Sequence, residues 1–270
     1  MTTSWIAGAE RIQVHGHRGA RAVLPENTIP AFEYAIKQGV DVLELDVAVT
    51  RDNVLVVSHD PRLNPKFCRG PGGSNVIRQL SLERLKQWDC GAVKNPKFPK
   101  QRPAPGTKVP TLEEVFALAP GGDFGFNVET KIFKDEPELT PPPEEFARLL
   151  VEAIRRHKLE QRVIVQSFDF RTLHAIKKLA PEIPLSALYG GLPKDYVKIA
   201  RQAGAGIVSP HWRLVSKGRV EKAHKAGLKV VPWTANKPGE WEKLVRAGVD
   251  AIITDDPTEL ISWLRARGLR

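Results

Sequence analysis

The sequence has 270 residues, of which 41% are hydrophobic, and carries a formal net charge of +10 at pH 7. A chain of this length and composition can bury a large core, and we expect residues 1–270 to form one domain. The charge does not predict nucleic-acid binding, because the sequence has no run of five Lys or Arg residues and no aromatic base-stacking module.

No apolar stretch approaches the roughly 18 residues that a membrane span requires. The opening residues, MTTSWIAGAERIQ, also lack the basic and apolar regions of a secretory leader. We therefore expect a soluble protein without stable membrane insertion, and the sequence leaves open whether it is cytoplasmic or exported and whether it is an oligomer. The two cysteines, Cys68 and Cys90, lie in one loop-rich segment. They either form a disulfide in an oxidising compartment or remain free thiols.

The first two predicted strands place polar residues where they end. The strand IQVHGH ends at His17 and leads through a loop into a helix that Asn27 or Thr28 caps. The strand VDVLELDV carries Glu44 and Asp46, which are two residues apart and therefore point to the same face. Adjacent parallel strands bring these carboxylates close to His17. Because two like charges on one face repel each other, the pair indicates a site for a divalent cation.

A β-hairpin follows the second strand. The runs VAVT and VLVVSHD are separated only by Arg51, Asp52 and Asn53, which leaves no room for a helix between them. With Asp52 and Asn53 as the two central turn residues, Asp46 lies opposite His59. His59 is therefore predicted beside the carboxylates.

Residues 61–110 are rich in Pro and Gly and predict an irregular insertion with one short helix from Ser81 to Trp88. Because the insertion begins directly after His59, we expect it to lie over the proposed site and to shape access to it. Its cluster of Lys94, Lys97, Lys100 and Arg102 forms either a positive rim or an ordinary solvated loop.

The rest of the chain alternates between predicted helices and strands. A capping box from Thr111 to Glu114 begins a helix, and the strand DFGFNVETK then carries Glu129 and Lys131 on one face. The later strands are predicted at 162–167, 184–189, 206–209, 228–233 and 250–254. One helix is predicted to end near His157, and four more are predicted at 169–179, 216–226, 238–247 and 257–267. Glycines at 39, 204, 227 and 248 separate helices from strands. Eight such units predict a (β/α)8 TIM barrel, whose functional groups gather at the carboxyl ends of the strands.

Short motifs run through the chain in a fixed order. They are His17-Arg18-Gly19, Pro25-Glu26-Asn27-Thr28, Glu44-Leu45-Asp46, Thr50-Arg51-Asp52, His59-Asp60, Asn127-Val128-Glu129-Thr130-Lys131, Gln166-Ser167-Phe168, Pro232-Trp233-Thr234 and Thr254-Asp255. Together they resemble the signature of the glycerophosphodiester phosphodiesterases over nearly the whole chain. The resemblance implies two catalytic histidines, three metal ligands and two phosphate-binding cations: His17 and His59; Glu44, Asp46 and Glu129; Arg18 and Lys131.

The chemistry of these side chains agrees with those roles. Three carboxylates form an all-oxygen set that suits one divalent cation, Mg²⁺ or Ca²⁺. Arg18 and Lys131 can neutralise a small anionic phosphodiester, and His17 and His59 can act as paired acid and base near neutral pH. Trp233 either packs in the core or forms a wall for the glycerol moiety.

The expected activity is hydrolysis of glycerophosphodiesters to glycerol 3-phosphate and an alcohol. The alternative is a phospholipase D-like enzyme acting on lysophospholipids or sphingolipids. A noncatalytic binding barrel is a third possibility, but no histidine or carboxylate of the pattern is missing.

The remaining histidines and Phe168 are not expected to belong to this site. His15 shares the strand face of His17, and the His-Arg-Gly motif favours His17. We expect Phe168 in the core. The other histidines are expected to be structural or exposed, away from the site: His157, His174, His211 and His224.

Overall fold

The computed structural model describes residues 11–270 and shows a nearly closed parallel barrel of eight strands surrounded by helices, as the alternating pattern predicted. The elements are β1 (Gln13–Gly16), α1 (Ile29–Gln38), β2 (Val42–Val49), β3 (Leu55–Val57), α2 (Leu82–Leu85), α3 (Leu112–Phe116), β4 (Gly125–Thr130), α4 (Pro143–Arg156), β5 (Val163–Ser167), α5 (Phe170–Leu179), β6 (Leu185–Tyr189), α6 (Tyr196–Ala203), β7 (Ile207–Pro210), α7 (Lys217–Lys225), β8 (Lys229–Val230), α8 (Pro238–Ala247), β9 (Ala251–Thr254) and α9 (Pro257–Arg265).

The barrel strands follow the order β8-β7-β6-β5-β4-β2-β1-β9, and β3 pairs with β2 outside this series. The barrel closes between β8 and β9, where the backbone N–H of Asp250 donates to Val230 and that of Ile253 donates to Pro232, both at 3.0 Å. The last predicted strand before this seam, 228–233, is reduced to two residues in β8. One reason is Pro232, which has no N–H to contribute to the ladder.

Several helix ends follow the local sequence signals. Thr28, and not Asn27, caps α1 by accepting a hydrogen bond from the backbone of Ala31. The capping box predicted from Thr111 to Glu114 is present at the start of α3. Asp256 caps α9 with Pro257 as its first residue. These caps fix where each loop at the carboxyl face of the barrel ends.

The predicted hairpin is present, but its predicted register is wrong by one residue. Val47 pairs with Val57, and the N–H of Ser58 donates to the carbonyl of Asp46 at 2.9 Å. The turn contains three residues instead of two, because Asn53 adopts a left-handed conformation with φ 59°. His59 therefore lies one residue beyond the position opposite Asp46.

The insertion has a hydrophobic cluster of its own. Leu85 and Trp88 are buried in this cluster together with Ala48 and Val56 of the β2–β3 hairpin. Helix α2, Leu82–Leu85, begins after Ser81 as predicted but ends three residues before Trp88. Cys68 and Cys90 form a disulfide, which selects one of the two alternatives that the sequence left open.

No helix within residues 11–270 has both the length and the apolar character needed to cross a bilayer. The prediction that the opening residues are not a secretory leader concerns residues 1–10 for the most part, and these lie outside the described part of the chain.

Candidate active site

Three carboxylates meet at the carboxyl end of the barrel. Glu44 and Asp46 lie on β2, and Glu129 lies on β4 directly beside Asp46 in the strand register. All three residues are buried, and each offers an oxygen within 4.8 Å of those of the other two. The alternation along β2 and its pairing with β4 thus bring together the three residues that the sequence predicted as metal ligands.

Burial makes this group of like charges electrostatically unusual. Burial and the neighbouring charges of Asp46 and Glu129 raise the pKa of Glu44 well above its ordinary value. Burial also raises the pKa of Glu129, although Lys131 opposes the shift. Burial alone would raise the pKa of Asp46, but Arg18, His59 and Lys131 outweigh it and lower that pKa.

The donor set fits a divalent cation. Three carboxylates face two cationic side chains, Arg18 and Lys131, so negative charge is in excess when all are ionised. Within residues 11–270, the buried Oδ1 atom of Asp46 has no hydrogen-bond partner. Oxygen ligands of this kind and number suit Mg²⁺ or Ca²⁺.

The loop after β1 holds the carboxylates in place through two residues with left-handed backbones. The N–H of Arg18, whose φ is 51°, donates to Glu44 Oε2 at 3.0 Å. Asn27, whose φ is 57°, donates from Nδ2 to Asp46 Oδ2 at 2.9 Å. A Cβ atom at Gly16 would lie 2.3 Å from the carbonyl oxygen of Gly19, so this turn requires glycine.

Two cations lie against the carboxylates. Arg18 Nε is 3.1 Å from Asp46 Oδ2, and its Nη1 donates to Glu26 at 2.6 Å. Lys131 Nζ donates to Glu129 at 2.7 Å and lies 3.8 Å from Asp46. Both side chains are largely buried, so their charges are weakly screened by solvent. They are in position to meet an anionic group that approaches the carboxylates.

His17 is oriented by Asp255, a residue for which the sequence motifs predicted no role. Its Nδ1 lies 2.5 Å from Asp255 Oδ1, and its Nε2 lies 3.9 Å from Glu44. Burial lowers the pKa of His17, although Asp255 opposes the shift. Burial would raise the pKa of Asp255, but His17 and neighbouring donors lower it to about 2, so Asp255 stays ionised. Asn236 donates to the other oxygen of Asp255 at 2.8 Å.

His59 has a carboxylate partner of its own. Its Nδ1 lies 2.7 Å from Asp60 Oδ1, and both side chains are partly exposed. His59 lines a cavity of about 430 Å³ together with Arg18 and residues of the insertion, among them Phe67 and the Cys68–Cys90 disulfide. Both candidate histidines thus have one ring nitrogen paired with an aspartate.

The insertion lies over the carboxyl face of the barrel. Gln101 donates from its side chain to the carbonyls of Arg21 and Leu24, at 2.7 and 3.2 Å. The N–H of Arg102 donates to the carbonyl of Val23 at 2.9 Å. These bonds attach the insertion to the loop that carries Arg18.

Trp233 and Phe168 lie at the mouth of the barrel. Trp233 is half-buried, donates from its indole nitrogen to the carbonyl of Ser209 at 2.8 Å, and lines a second cavity of about 490 Å³ beside Asp255. Phe168 packs edge-on against Trp233 at 5.4 Å and is 49% exposed. The expectation that Phe168 belongs to the core is wrong, because the residue directly after β5 faces the mouth.

The other histidines occupy different environments. His15 is fully buried, and burial lowers its pKa to about 4. Neither of its ring nitrogens has a hydrogen-bond partner in the described part of the chain, so it does not share the contacts of His17. His157, His174 and His224 are hydrogen-bonded to Glu113, Gln202 and Asp250. His211 was expected away from the site but lines the second cavity, with its ring 5.2 Å from that of Trp233.

Two further residues support Glu44 from β4 and β5. Gln166 donates to Glu44 Oε1 at 2.8 Å, and Asn127 donates to Gln166 at 3.0 Å. Both residues belong to motifs that the sequence contains, as does Asp255. The predicted barrel makes their strands neighbours, but these hydrogen bonds also depend on strand register and side-chain conformation, which the local sequence does not set.

Comparison with known proteins agrees with this geometry. The model of the glycerophosphoryl diester phosphodiesterase family matches residues 17–259. The chain belongs to this family. Membership makes it an enzyme, a glycerophosphodiester phosphodiesterase.

Relatives resemble this phosphodiesterase over nearly their full length. A glycerophosphodiester phosphodiesterase of Caldanaerobacter subterraneus subsp. tengcongensis is 37% identical over 256 residues, which cover 94% of this chain and 98% of the relative. A crystal structure assigned as a glycerophosphoryl diester phosphodiesterase from Silicibacter pomeroyi is 29% identical, with a TM-score of 0.89 and 98% coverage of both chains. An Oleispira antarctica phosphodiesterase in complex with the product sn-glycerol-3-phosphate is 26% identical, with a TM-score of 0.80 and coverage of 94% of this chain and 97% of its own.

Proposed function

We propose that this enzyme hydrolyses glycerophosphodiesters to glycerol 3-phosphate and an alcohol, using one divalent cation, Mg²⁺ or Ca²⁺, and two histidines. The observation that carries the proposal is the buried group of Glu44, Asp46 and Glu129 beside the His17–Asp255 pair. The product bound by the Oleispira antarctica relative supports the same substrate class.

The charged residues bind and orient the substrate phosphate. Glu44, Asp46 and Glu129 hold the cation, which neutralises charge on the phosphoryl oxygens when it is bound. Arg18 and Lys131 donate to the non-bridging oxygens, Arg18 through its planar guanidinium. Because both side chains are largely buried, their hydrogen bonds to the phosphate act in a medium with little screening.

The two histidines move the protons. We propose that the hydroxyl next to the phosphate on the glycerol attacks phosphorus, while one histidine accepts its proton and the other protonates the leaving alcohol. The resulting cyclic phosphate is then opened by water, and the two histidines exchange roles. Asp255 and Asp60 each hold one ring nitrogen, so Nε2 of His17 and of His59 is the atom available for proton transfer.

Trp233 and the insertion complete the site. We assign Trp233 to the wall of the substrate-binding region, since it lines the cavity beside Asp255. We also propose that residues 61–110 act as part of one domain with the barrel, because their hydrophobic cluster includes Ala48 and Val56 of the hairpin. The alternative substrates, lysophospholipids or sphingolipids, are not favoured by any relative described above.

Removal of the cation tests the proposal directly. The enzyme is treated with excess EDTA, desalted, and assayed with glycerophosphocholine, lysophosphatidylcholine and sphingomyelin before and after Mg²⁺ or Ca²⁺ is added. We expect chelation to abolish glycerol 3-phosphate release and the cation to restore it. Full activity after exhaustive chelation would overturn the metal assignment, and turnover of the lipids alone would overturn the substrate class.

Variants of the ligands sharpen this test. Since loss of a residue that merely orients a metal ligand costs about 10- to 100-fold in metal affinity or activity, Glu44→Gln and Asp46→Asn should each raise the cation concentration for half-maximal activity by at least about tenfold. Glu152→Gln makes the same chemical change on the exposed face of α4 and serves as the control. An equal effect of the control variant would contradict the assignment.

A further inference from the structure

The positive charge of this protein is concentrated in the insertion. Of the 41 Lys and Arg residues, 11 fall in residues 61–110, but only two of the 31 Asp and Glu residues do. The insertion therefore has a formal charge of +9, and the remaining 220 residues have a formal charge of +1. A solvated surface without a partner gives no reason for such an uneven distribution.

More than half of the basic side chains of the insertion are exposed and form no ion pair with the described residues. Eight of them are exposed, and two of these form ion pairs, Arg62 with Glu136 and Lys100 with Glu259. The other six form no ion pair in the part of the chain that the structure describes: Lys66, Arg69, Lys94, Lys97, Arg102 and Lys108. Gln101 and Arg102 fasten the insertion to the carboxyl face of the barrel, and Lys97 lines both cavities at that face.

An exposed apolar tip lies on the other side of the mouth. Leu192, in the loop after β6, is 80% exposed, and Phe168, directly after β5, is half-exposed. Among the described residues, the only other large exposed hydrophobic side chain is Leu179, at the far end of α5. Trp233 connects the two sides, since it packs against Phe168 and lines a cavity together with Lys97 and Lys100.

We propose that this face of the enzyme docks on the surface of an anionic lipid bilayer. Clustered basic residues are attracted to acidic head groups, and exposed Leu and Phe side chains enter the interface between head groups and acyl chains. A soluble polyanion would satisfy the charges of the insertion but would leave Leu192 in water. The docking rests on the insertion and the Leu192 loop, and does not depend on the catalytic roles assigned above.

Vesicle sedimentation tests the docking with the full chain. The enzyme is mixed with vesicles of phosphatidylcholine, with or without phosphatidylglycerol, at low salt and at about 0.5 M salt, where charges are screened within a few ångströms. The charge variant is Lys66→Gln/Lys94→Gln/Arg102→Gln, and none of these three residues lines either cavity of the candidate site. Its control, Lys37→Gln/Lys177→Gln/Arg265→Gln, removes the same charge from the last turns of α1, α5 and α9 at the opposite end of the barrel. Leu192→Ser is compared with Leu179→Ser.

We expect binding only to vesicles that contain phosphatidylglycerol, and loss of that binding at high salt. Each basic residue at an anionic surface contributes about fivefold in affinity, so the charge variant should bind roughly 100-fold more weakly. Leu192→Ser should weaken binding, and neither control variant should. The proposal is overturned if the wild-type enzyme does not sediment with acidic vesicles, or if the control charge variant loses as much binding. It is also overturned if Leu192→Ser binds as the wild type does while heparin competes fully, because the face would then bind polyanions.

Discussion

The pairing of His17 with Asp255 makes a sharp prediction about catalysis. Replacing the carboxylate in Asp255→Asn keeps the size of the side chain but removes the negative charge that lies 2.5 Å from His17 Nδ1. The new amide can also donate a hydrogen bond to Nδ1. A neutral His17 would then carry its proton on Nε2, the nitrogen that must be unprotonated for His17 to act as a base. The variant should therefore fold and bind substrate, yet transfer protons poorly.

The size of the effect follows from the environment of the pair. A hydrogen bond to a charged group contributes about 1.5–3 kcal/mol, and the side chain of Asp255 is only 8% exposed, so solvent replaces little of it. If this stabilisation is lost in the transition state, kcat should fall by about 10- to 150-fold. Asn236→Ala leaves the carboxylate but removes one neutral donor to it, and should lower kcat by less than about tenfold.

The pH dependence gives an independent readout. Asp255 raises the pKa of His17 against the larger lowering effect of burial, so its loss should lower that pKa further. The limb of the kcat/KM profile that reports His17 should therefore move to lower pH, whether His17 acts as acid or base. Initial rates with glycerophosphocholine at saturating Mg²⁺ or Ca²⁺ measure both quantities. A fall in kcat of less than about threefold with an unchanged profile would refute the reasoning.

Two further predictions concern the histidines and the insertion. His17→Ala and His59→Ala should each lower kcat by roughly 10²–10⁴-fold, and the double variant should be far less than multiplicatively worse, since the two act as a unit. His15→Ala should affect stability more than kcat, because His15 is buried without polar partners among the described residues; equal losses for His15→Ala and His17→Ala would contradict the assignment. Residues 93–103 can be replaced by a short Gly/Ser linker, because backbone hydrogen bonds hold the two flanking segments together. The N–H of Ala104 donates to the carbonyl of Gly91 at 2.8 Å, and that of Cys90 donates to the carbonyl of Thr107 at 2.9 Å. This change removes Lys97, Phe98 and Gln101 from the cavities and should alter KM and head-group preference more than cation affinity. Unchanged kcat/KM ratios over a substrate panel would show that this segment does not select the alcohol.

The sequence predicted the parts of the fold that local patterns encode. Alternation along β2 placed Glu44 and Asp46 on one face, and the glycines after helices marked the repeating units. The hairpin was also local, but its register depended on whether Asn53 would take a left-handed backbone, and Asn adopts that conformation only in some turns. A single residue in the turn therefore decided a register that the strand pattern left open.

The parts that could not be predicted depend on contacts between side chains that are distant in the sequence. Asp255 reaches His17 because β9 pairs with β1, with Gly16 opposite Thr254, and this contact closes a separation of 238 residues. The sequence predicts Asn27 only as a candidate helix cap, since its bond to Asp46 requires the folded loop after β1. The exposure of Phe168 likewise follows from the end of β5 and not from its apolar side chain. The predicted barrel orders the strands and makes the last a neighbour of the first, but the register and side-chain conformations that bring these atoms into contact are not encoded in local patterns.

The way the barrel closes also affects how readily the backbone near the site opens locally. β8 contributes two residues to the sheet. Pro232, two residues later, has no backbone N–H, so the ladder at this seam has one donor fewer than a regular ladder. The chain just beyond this seam carries Trp233, and then Asn236, which holds Asp255. Amide hydrogens near the seam should therefore exchange with deuterated water faster than those of β2 and β4, whose ladder pairs six residues. A transient opening there would release Asp255 and with it the orientation of His17, while the three carboxylates, on the more extensively paired strands β2 and β4, would keep their arrangement.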